Sequence, residues 1–81
     1  MPSSKSLPLV NLRKGEQGVI LTLPEQSELR SQCIRLGICL GTQIQCSQRL
    51  PGGTVIIEIS RQEIAIGKAL GAEIMVKVGE G

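Results

Sequence analysis

The stretch SELRSQCIRLGI, residues 27–38, decides the fold, because its apolar residues follow a helical spacing. Leu29, Cys33 and Leu36 recur at i, i+4 and i+7, so they share one face of a helix. Polar side chains occupy much of the opposite side. The pattern therefore predicts one amphipathic helix near residues 27–36, with a buried stripe and a solvated back.

Both ends of this helix carry recognisable signals. Ser27 is suited to the N-cap, where a hydroxyl accepts a backbone N–H. Gly37 stands where a left-handed residue ends many helices, because glycine adopts positive φ without a Cβ penalty. Ile38, one place later, is expected to make the apolar contact of a Schellman ending and to return the chain to the core.

The rest of the chain alternates short apolar segments with turns rich in glycine and proline. Strands are predicted at residues 9–12, 18–23, 43–48, 55–59, 64–66 and 74–78, with 9–12 the weakest, and one helical turn at 67–71. Segments 43–48 and 55–59 flank the Leu-Pro-Gly-Gly-Thr turn and should form a hairpin. Such spacing favours a small, mainly β, antiparallel barrel or sandwich of about five strands with one short helix.

A chain of 81 residues holds one domain, predicted to span residues 9–78. Residues 1–8 are interpreted as a flexible leader and residues 79–81 as a tail. No apolar run approaches the roughly 20 residues that cross a bilayer, so direct membrane insertion is not expected. No secretory signal is recognisable at the start, and we expect a cytoplasmic protein.

The composition excludes most enzyme classes. The chain has no His, Asp, Phe, Trp or Tyr, which removes the usual general bases, imidazole ligands and rings for base stacking. The net charge is +2, and the nine basic residues are scattered along the chain. Neither an enzyme nor a nucleic-acid-binding protein is therefore expected, and no cofactor is implied.

The three cysteines do not have the spacing of a metal site. Cys33, Cys39 and Cys46 are separated by six and seven positions, whereas paired metal thiolates usually recur as C-x₂₋₄-C. Cys33 and Cys46 fall on faces assigned to the core, which leaves Cys39 as the exposed thiol. The glutamates considered as ligands of a hard cation are Glu58, Glu63 and Glu73. They are dispersed along the chain, so no metal ligand is assigned.

Several short motifs follow one another in a characteristic order. Leu36-Gly37-Ile38, followed after two residues by Gly41-Thr42, is similar to the central signature of the FeoA family. The segment from Gly15 through Gly18 to Ile20 looks like its opening turn and second strand. Residues 64–66 and 74–76 resemble its closing strands. One departure is Leu40, which stands where the family usually has proline before the signature glycine.

The resemblance implies an SH3-like barrel that acts as a small cytosolic accessory of FeoB, the membrane GTPase-permease that imports ferrous iron. Self-association is a second mode of action that it allows. A similar barrel ends the DtxR-type iron-dependent repressors, so a stand-alone metalloregulator module is the alternative. An RNA- or ribosome-associated barrel is a third hypothesis, which the scattered charge and missing aromatics oppose.

An adaptor without catalytic groups must present a binding surface, and binding hot spots favour arginine and large apolar residues. Arg30 and Arg35 lie opposite the apolar stripe of the predicted helix, and Cys39 and Leu40 follow in the next turn. These four residues are the candidate partner interface. The competing interpretation is that the arginines only solubilise the helix and that Leu40 folds inward.

Overall fold

Residues 4–79 are described in the computed structural model, and they form one antiparallel sheet with two helices. The strands are β1 (Ser4–Pro8), β2 (Gln17–Thr22), β3 (Gln43–Arg49), β4 (Val55–Ile59), β5 (Gln62–Ile66) and β6 (Met75–Gly79). The helices are α1 (Ser27–Arg35) and α2 (Lys68–Gly71), and a 3-10 turn covers Leu9–Asn11. The mainly β class with one substantial helix is confirmed, with six strands where about five were expected.

The strand order in the sheet is β1-β6-β2-β3-β4-β5. The predicted hairpin is β3–β4, in which Cys46 lies opposite Ile57. The last strand, β6, lies between the first two: Val76 is opposite Leu7 of β1 and opposite Ile20 of β2. The sheet is therefore joined by pairing between the two ends of the chain, and β1 and β5 are its outer strands.

The core is formed by alternate residues of the strands together with one face of α1. β4 is the clearest case, since every second residue is buried and Glu58 faces out. The buried apolar residues come from almost every element: Leu9, Leu12, Ile20, Cys33, Ile38, Ile44, Cys46, Val55, Ile57, Ile59, Ile66, Leu70, Ile74, Val76 and Val78. Within residues 4–79, neither helix is long and apolar enough to cross a membrane.

The start of the domain differs from the prediction. Residues 4–8 of the supposed leader form β1, in register with β6 from Ser4↔Gly79 to Pro8↔Met75. Residues 9–11, predicted as a strand, instead form a 3-10 turn that Leu12 closes by donating to the Leu9 carbonyl at 3.1 Å. The residues of β1 have little strand propensity of their own. The strand forms because β6, some 70 positions away, pairs with it. Residues 1–3 and 80–81 of the predicted leader and tail lie outside the described part.

The C-terminus of α1 is the predicted Schellman ending. Gly37 has φ +86°, its N–H donates to the Ile34 carbonyl at 3.0 Å, and the Ile38 N–H donates to the Cys33 carbonyl at 2.9 Å. Ile38 is fully buried. Leu29 and Leu36 pack on the core as the helical spacing predicts.

The N-terminus of α1 is different from the prediction. Ser27 is the first helical residue, the N-cap is Gln26, and no side chain caps the helix. The loop before the helix is held instead by Arg30, whose guanidinium donates to the carbonyls of Pro24 at 3.1 Å and Glu25 at 2.5 Å. Ser27 therefore lies one position inside the helix and cannot be its N-cap.

The turn between β4 and β5 is strained. Ser60 and Arg61 have φ of +48° and +69°, so both central residues of the two-residue loop are left-handed. This is the type I′ geometry that hairpins use, and it normally selects Asn-Gly. A side chain in a left-handed conformation costs about 1–2 kcal/mol, which both residues bear here.

Gly37→Val should destabilise the fold by at least about 1–2 kcal/mol, because a β-branched residue resists positive φ. No atom lies within 4 Å of the position that a Cβ would take at Gly37, so the Cβ itself causes no clash and the expected loss comes from the backbone conformation. Gly67→Val is the matched control, since Gly67 also has no atom within 4 Å of an added Cβ but has φ −68°. Denaturant unfolding measures both, and a Gly37→Val midpoint equal to wild type would contradict the assigned helix end.

Arg61→Gly should stabilise the protein by about 1 kcal/mol, because glycine removes the left-handed penalty at the second position of a type I′ turn. Urea unfolding monitored by far-UV circular dichroism gives the change. Arg61→Ala is the control, since it deletes the same charge while keeping a Cβ, and it should leave the stability near that of wild type. Equal stability of the two variants would contradict the assigned strain.

Candidate functional site

Two surface depressions lie on the described part of the chain. A cleft of about 520 Å³ is lined by Lys5, Arg13, Gly15, Glu16, Gln17, Val78 and Gly79. A shallower one of about 230 Å³ is lined by Gln17, Gln43, Ile44, Gln45, Glu58, Ser60 and Arg61. Across residues 4–79, no three His, Cys, Asp or Glu side chains cluster closely enough to hold a metal ion.

The turn after α1 carries the most exposed large apolar side chain. The Thr42 N–H donates to the Cys39 carbonyl at 3.1 Å, and Gly41, third in the turn, has φ +81°. This is the geometry of a type II turn, in which the second position favours proline. Here that position is Leu40, whose side chain is 65% exposed. Leu40 therefore does not fold inward, which was the competing interpretation of this residue.

The turn is fastened to the second strand. The Gly41 N–H donates to the Ile20 carbonyl at 2.8 Å, and the Ile20 N–H donates to the Thr42 carbonyl at 2.9 Å. The next residue, Leu21, lies where the pairing of β2 with β6 shifts register, and it is 40% exposed. A bulge re-aims a side chain, so the irregularity accounts for a leucine on the outside of the strand.

The helix adds an apolar residue that sequence reasoning overlooked. Ile34 is 53% exposed, although it follows directly after the buried Cys33. It lies one turn after Arg30 on the solvated side of α1, beside Arg35, which is also exposed. The available signal was an isoleucine that interrupts the polar side of the helical pattern.

The four predicted interface residues are not all equally available to a partner. The Arg30 guanidinium is engaged by the carbonyls of Pro24 and Glu25, so its first role is to hold the loop before the helix. Arg35, Cys39 and Leu40 are exposed. Together with two exposed apolar residues that were not predicted, Leu21 and Ile34, they define what we call the helix–turn surface: Leu21, Ile34, Arg35, Cys39 and Leu40.

The cysteines occupy the environments that the sequence predicted. Cys33 and Cys46 are buried, and Cys39 is exposed. Burial raises the pKa of the Cys33 thiol. Burial also raises the pKa of the Cys46 thiol, against the opposing influence of the Arg49 charge and of a hydrogen bond with the Gln48 backbone. Both buried thiols are thus held protonated at neutral pH and act as small apolar residues.

Two signature glycines are needed by the fold for different reasons. Gly15, at φ +87°, turns the chain so that its N–H donates to the Cys46 carbonyl at 2.7 Å. Gly18 lies in β2, where an added Cβ would lie 3.3 Å from the carbonyl oxygen of Lys77 and from a methyl of Val78. Its missing side chain therefore lets β6 approach β2 closely.

Solved structures share this architecture. A crystal structure of an iron uptake regulatory protein, FeoA, has a TM-score of 0.85 and 26% identity, covering 94% of this chain and all of that one. An FeoA-like protein from Clostridium acetobutylicum has a TM-score of 0.81 and 20% identity, covering 91% and 87%. IdeR of T. acidophilum has a TM-score of 0.81 and 19% identity, and the match covers 90% of this chain but 34% of IdeR. No curated protein matches the sequence significantly.

A small antiparallel sheet with a single helix between its second and third strands defines an SH3-like domain. The model of the FeoA domain matches residues 7–78, nearly the whole chain. The protein belongs to the FeoA family, which is linked to iron uptake. The family resemblance that the Leu36-Gly37-Ile38 and Gly41-Thr42 motifs suggested is confirmed.

A thiol reagent should label the native protein at Cys39 first. Cys39 is exposed, whereas Cys33 and Cys46 are buried with raised pKa values, so only opening of the fold makes these two reactive. One equivalent is expected to react quickly with native protein and three with unfolded protein. Cys39→Ser removes the fast phase, and rapid labelling of that variant would contradict the burial of the other two.

Proposed function

We propose that this protein is a non-enzymatic, cytoplasmic accessory of ferrous iron uptake that acts by binding the cytosolic region of an FeoB-type membrane GTPase. Membership of the FeoA family supports the connection to iron uptake. The helix–turn surface is the proposed docking site, and the protein needs no cofactor for this role. Its effect on the transporter comes from occupancy of that site.

Leu40 is the observation that carries the proposal. A type II turn favours proline at this position, and proline in place of a freer residue stabilises by about 0.4–1 kcal/mol. The chain forgoes this stabilisation and holds a leucine 65% exposed at a turn anchored to β2 by two backbone hydrogen bonds. A rigid turn that presents an apolar side chain to solvent is well suited to insertion into a partner's pocket.

The neighbouring residues complete the chemistry of a hot spot. Ile34 adds a second exposed apolar group, and Arg35 supplies a guanidinium that can bind a carboxylate in a bidentate manner. Interfaces usually rely on aromatic residues and arginine. Since this chain has no aromatic residue, leucine, isoleucine and arginine must supply the contact.

The test is a binding assay with the purified cytosolic GTPase region of the cognate transporter. Leu40→Ser, Ile34→Ser and Arg35→Glu are compared with wild type, and at least one should weaken binding tenfold, equivalent to about 1.4 kcal/mol. Leu50→Ser is the matched control, because Leu50 is a 40% exposed leucine outside the helix–turn surface. It should bind like wild type.

Arg30→Glu belongs in the same series as a separate class of variant. Because Arg30 holds the loop at Pro24 and Glu25, its charge reversal is expected to lower the unfolding midpoint as well as any binding.

Equal affinity of the wild type, Leu40→Ser, Ile34→Ser and Arg35→Glu would rule out the helix–turn surface as the docking site. Absence of any binding by the wild type would rule out the partner.

A stand-alone metalloregulator module is the second candidate. The likeness to IdeR favours it, since a comparable barrel forms about a third of that protein. Equilibrium dialysis of the purified protein against ferrous and manganous ions separates the two functions. Stoichiometric metal binding would favour the regulator module, whereas transporter binding without metal supports the accessory.

A further inference from the structure

The outer strand β5 leaves one edge of the sheet unpaired. Within residues 4–79, β5 pairs with β4 on one side and with no other strand. The β4–β5 loop has two residues, so Ile59 and Gln62 form the hydrogen-bonded pair next to it. Bonded and non-bonded pairs then alternate along the hairpin. The backbone groups of Glu63 and Ala65 consequently point away from β4, giving two N–H and two C=O groups at the open edge.

The two outer strands differ in how they are protected. Natural sheets blunt their edges with lysine and with proline, which discourage pairing with another chain. β1 carries both, at Lys5 and Pro8. β5 reads Gln-Glu-Ile-Ala-Ile and has neither residue. Its one charge, Glu63, accepts a hydrogen bond from the Ser47 hydroxyl at 2.8 Å, which draws the carboxylate across β4 toward β3 and away from the open edge.

We propose that β5 is a docking edge for a second copy of this chain, with the two β5 strands antiparallel about a two-fold axis at Ile64. In this register Glu63 pairs with Ala65 of the second copy, and Ala65 pairs with its Glu63. All four free groups of each edge are then satisfied by four hydrogen bonds. A register shifted by one residue would leave those groups facing residues whose own groups are already used by β4.

The side chains in this register are self-complementary. The two Ile64 residues meet at the axis as a non-bonded pair, where side chains approach most closely. Ile64 is half-buried and packs on the core, so the second copy covers its remaining exposed part. Each Glu63 faces a small, neutral Ala65 rather than another carboxylate. The contact is one strand wide, so the dimer should be weak.

The inference is independent of the proposed function, because β5 and the helix–turn surface share no residue. Ala65 provides the test, since its side chain is exposed and the register places it opposite Glu63 of the second copy. Ala65→Glu puts two pairs of like charges face to face, whereas Ala65→Lys makes two pairs of opposite charges. At low ionic strength we expect Ala65→Glu to weaken the dimer at least about fivefold and Ala65→Lys to tighten it about threefold.

NMR spectra recorded from dilute protein up to about 1 mM, the range of a weak complex, measure the dimer constant. The amides of Glu63 and Ala65 should shift most with concentration, and diffusion coefficients should fall in parallel. Ala72→Glu and Ala72→Lys are the controls, since they make the same charge changes at an exposed residue outside β5. If the spectra do not change with concentration, β5 is not a docking edge. If Ala65→Glu and Ala65→Lys affect the dimer equally, the proposed register is wrong.

Discussion

The left-handed backbone of Gly37 is the constraint on which the rest of the structure depends. It reverses the chain after α1, so that the Ile38 N–H reaches the Cys33 carbonyl and the Ile38 side chain enters the core. The same reversal sends the next residues toward Ile20 of β2, where the following turn is fixed by two hydrogen bonds. One residue therefore ends the helix, completes the core and sets the position from which Leu40 projects.

Two arginine side chains hold loops of this chain by hydrogen bonds to backbone carbonyls. The Arg30 guanidinium binds the carbonyls that precede α1, and the Arg49 guanidinium binds those of Val10, in the 3-10 turn, and of Leu12, directly after it. Backbone carbonyls outside the sheet need donors, and the guanidinium offers five. Scattered basic residues can thus be structural, which explains why a count of charges says little about what this surface binds.

The sequence predicted the features that depend on near neighbours. The helical stripe, the left-handed Gly37 and the β3–β4 hairpin each follow from residues a few positions apart. Features that depend on distant partners were missed: β1 exists through β6, and Arg30 turns toward its own loop. Ile34 was overlooked because an amphipathic pattern is interpreted from its buried stripe. For a binding surface, however, the informative residue is an apolar one that stays exposed on the polar side.

The position of β6 between β1 and β2 has a consequence for the nascent chain. A strand that begins at Met75 must leave the ribosome before either of the first two strands finds its central partner. At about 5–20 residues per second, the N-terminal strands then wait for several seconds with apolar residues such as Ile20 uncovered. The β3–β4–β5 meander needs only local pairing and can form earlier. Folding of this domain is thus expected to finish only after its translation is nearly complete.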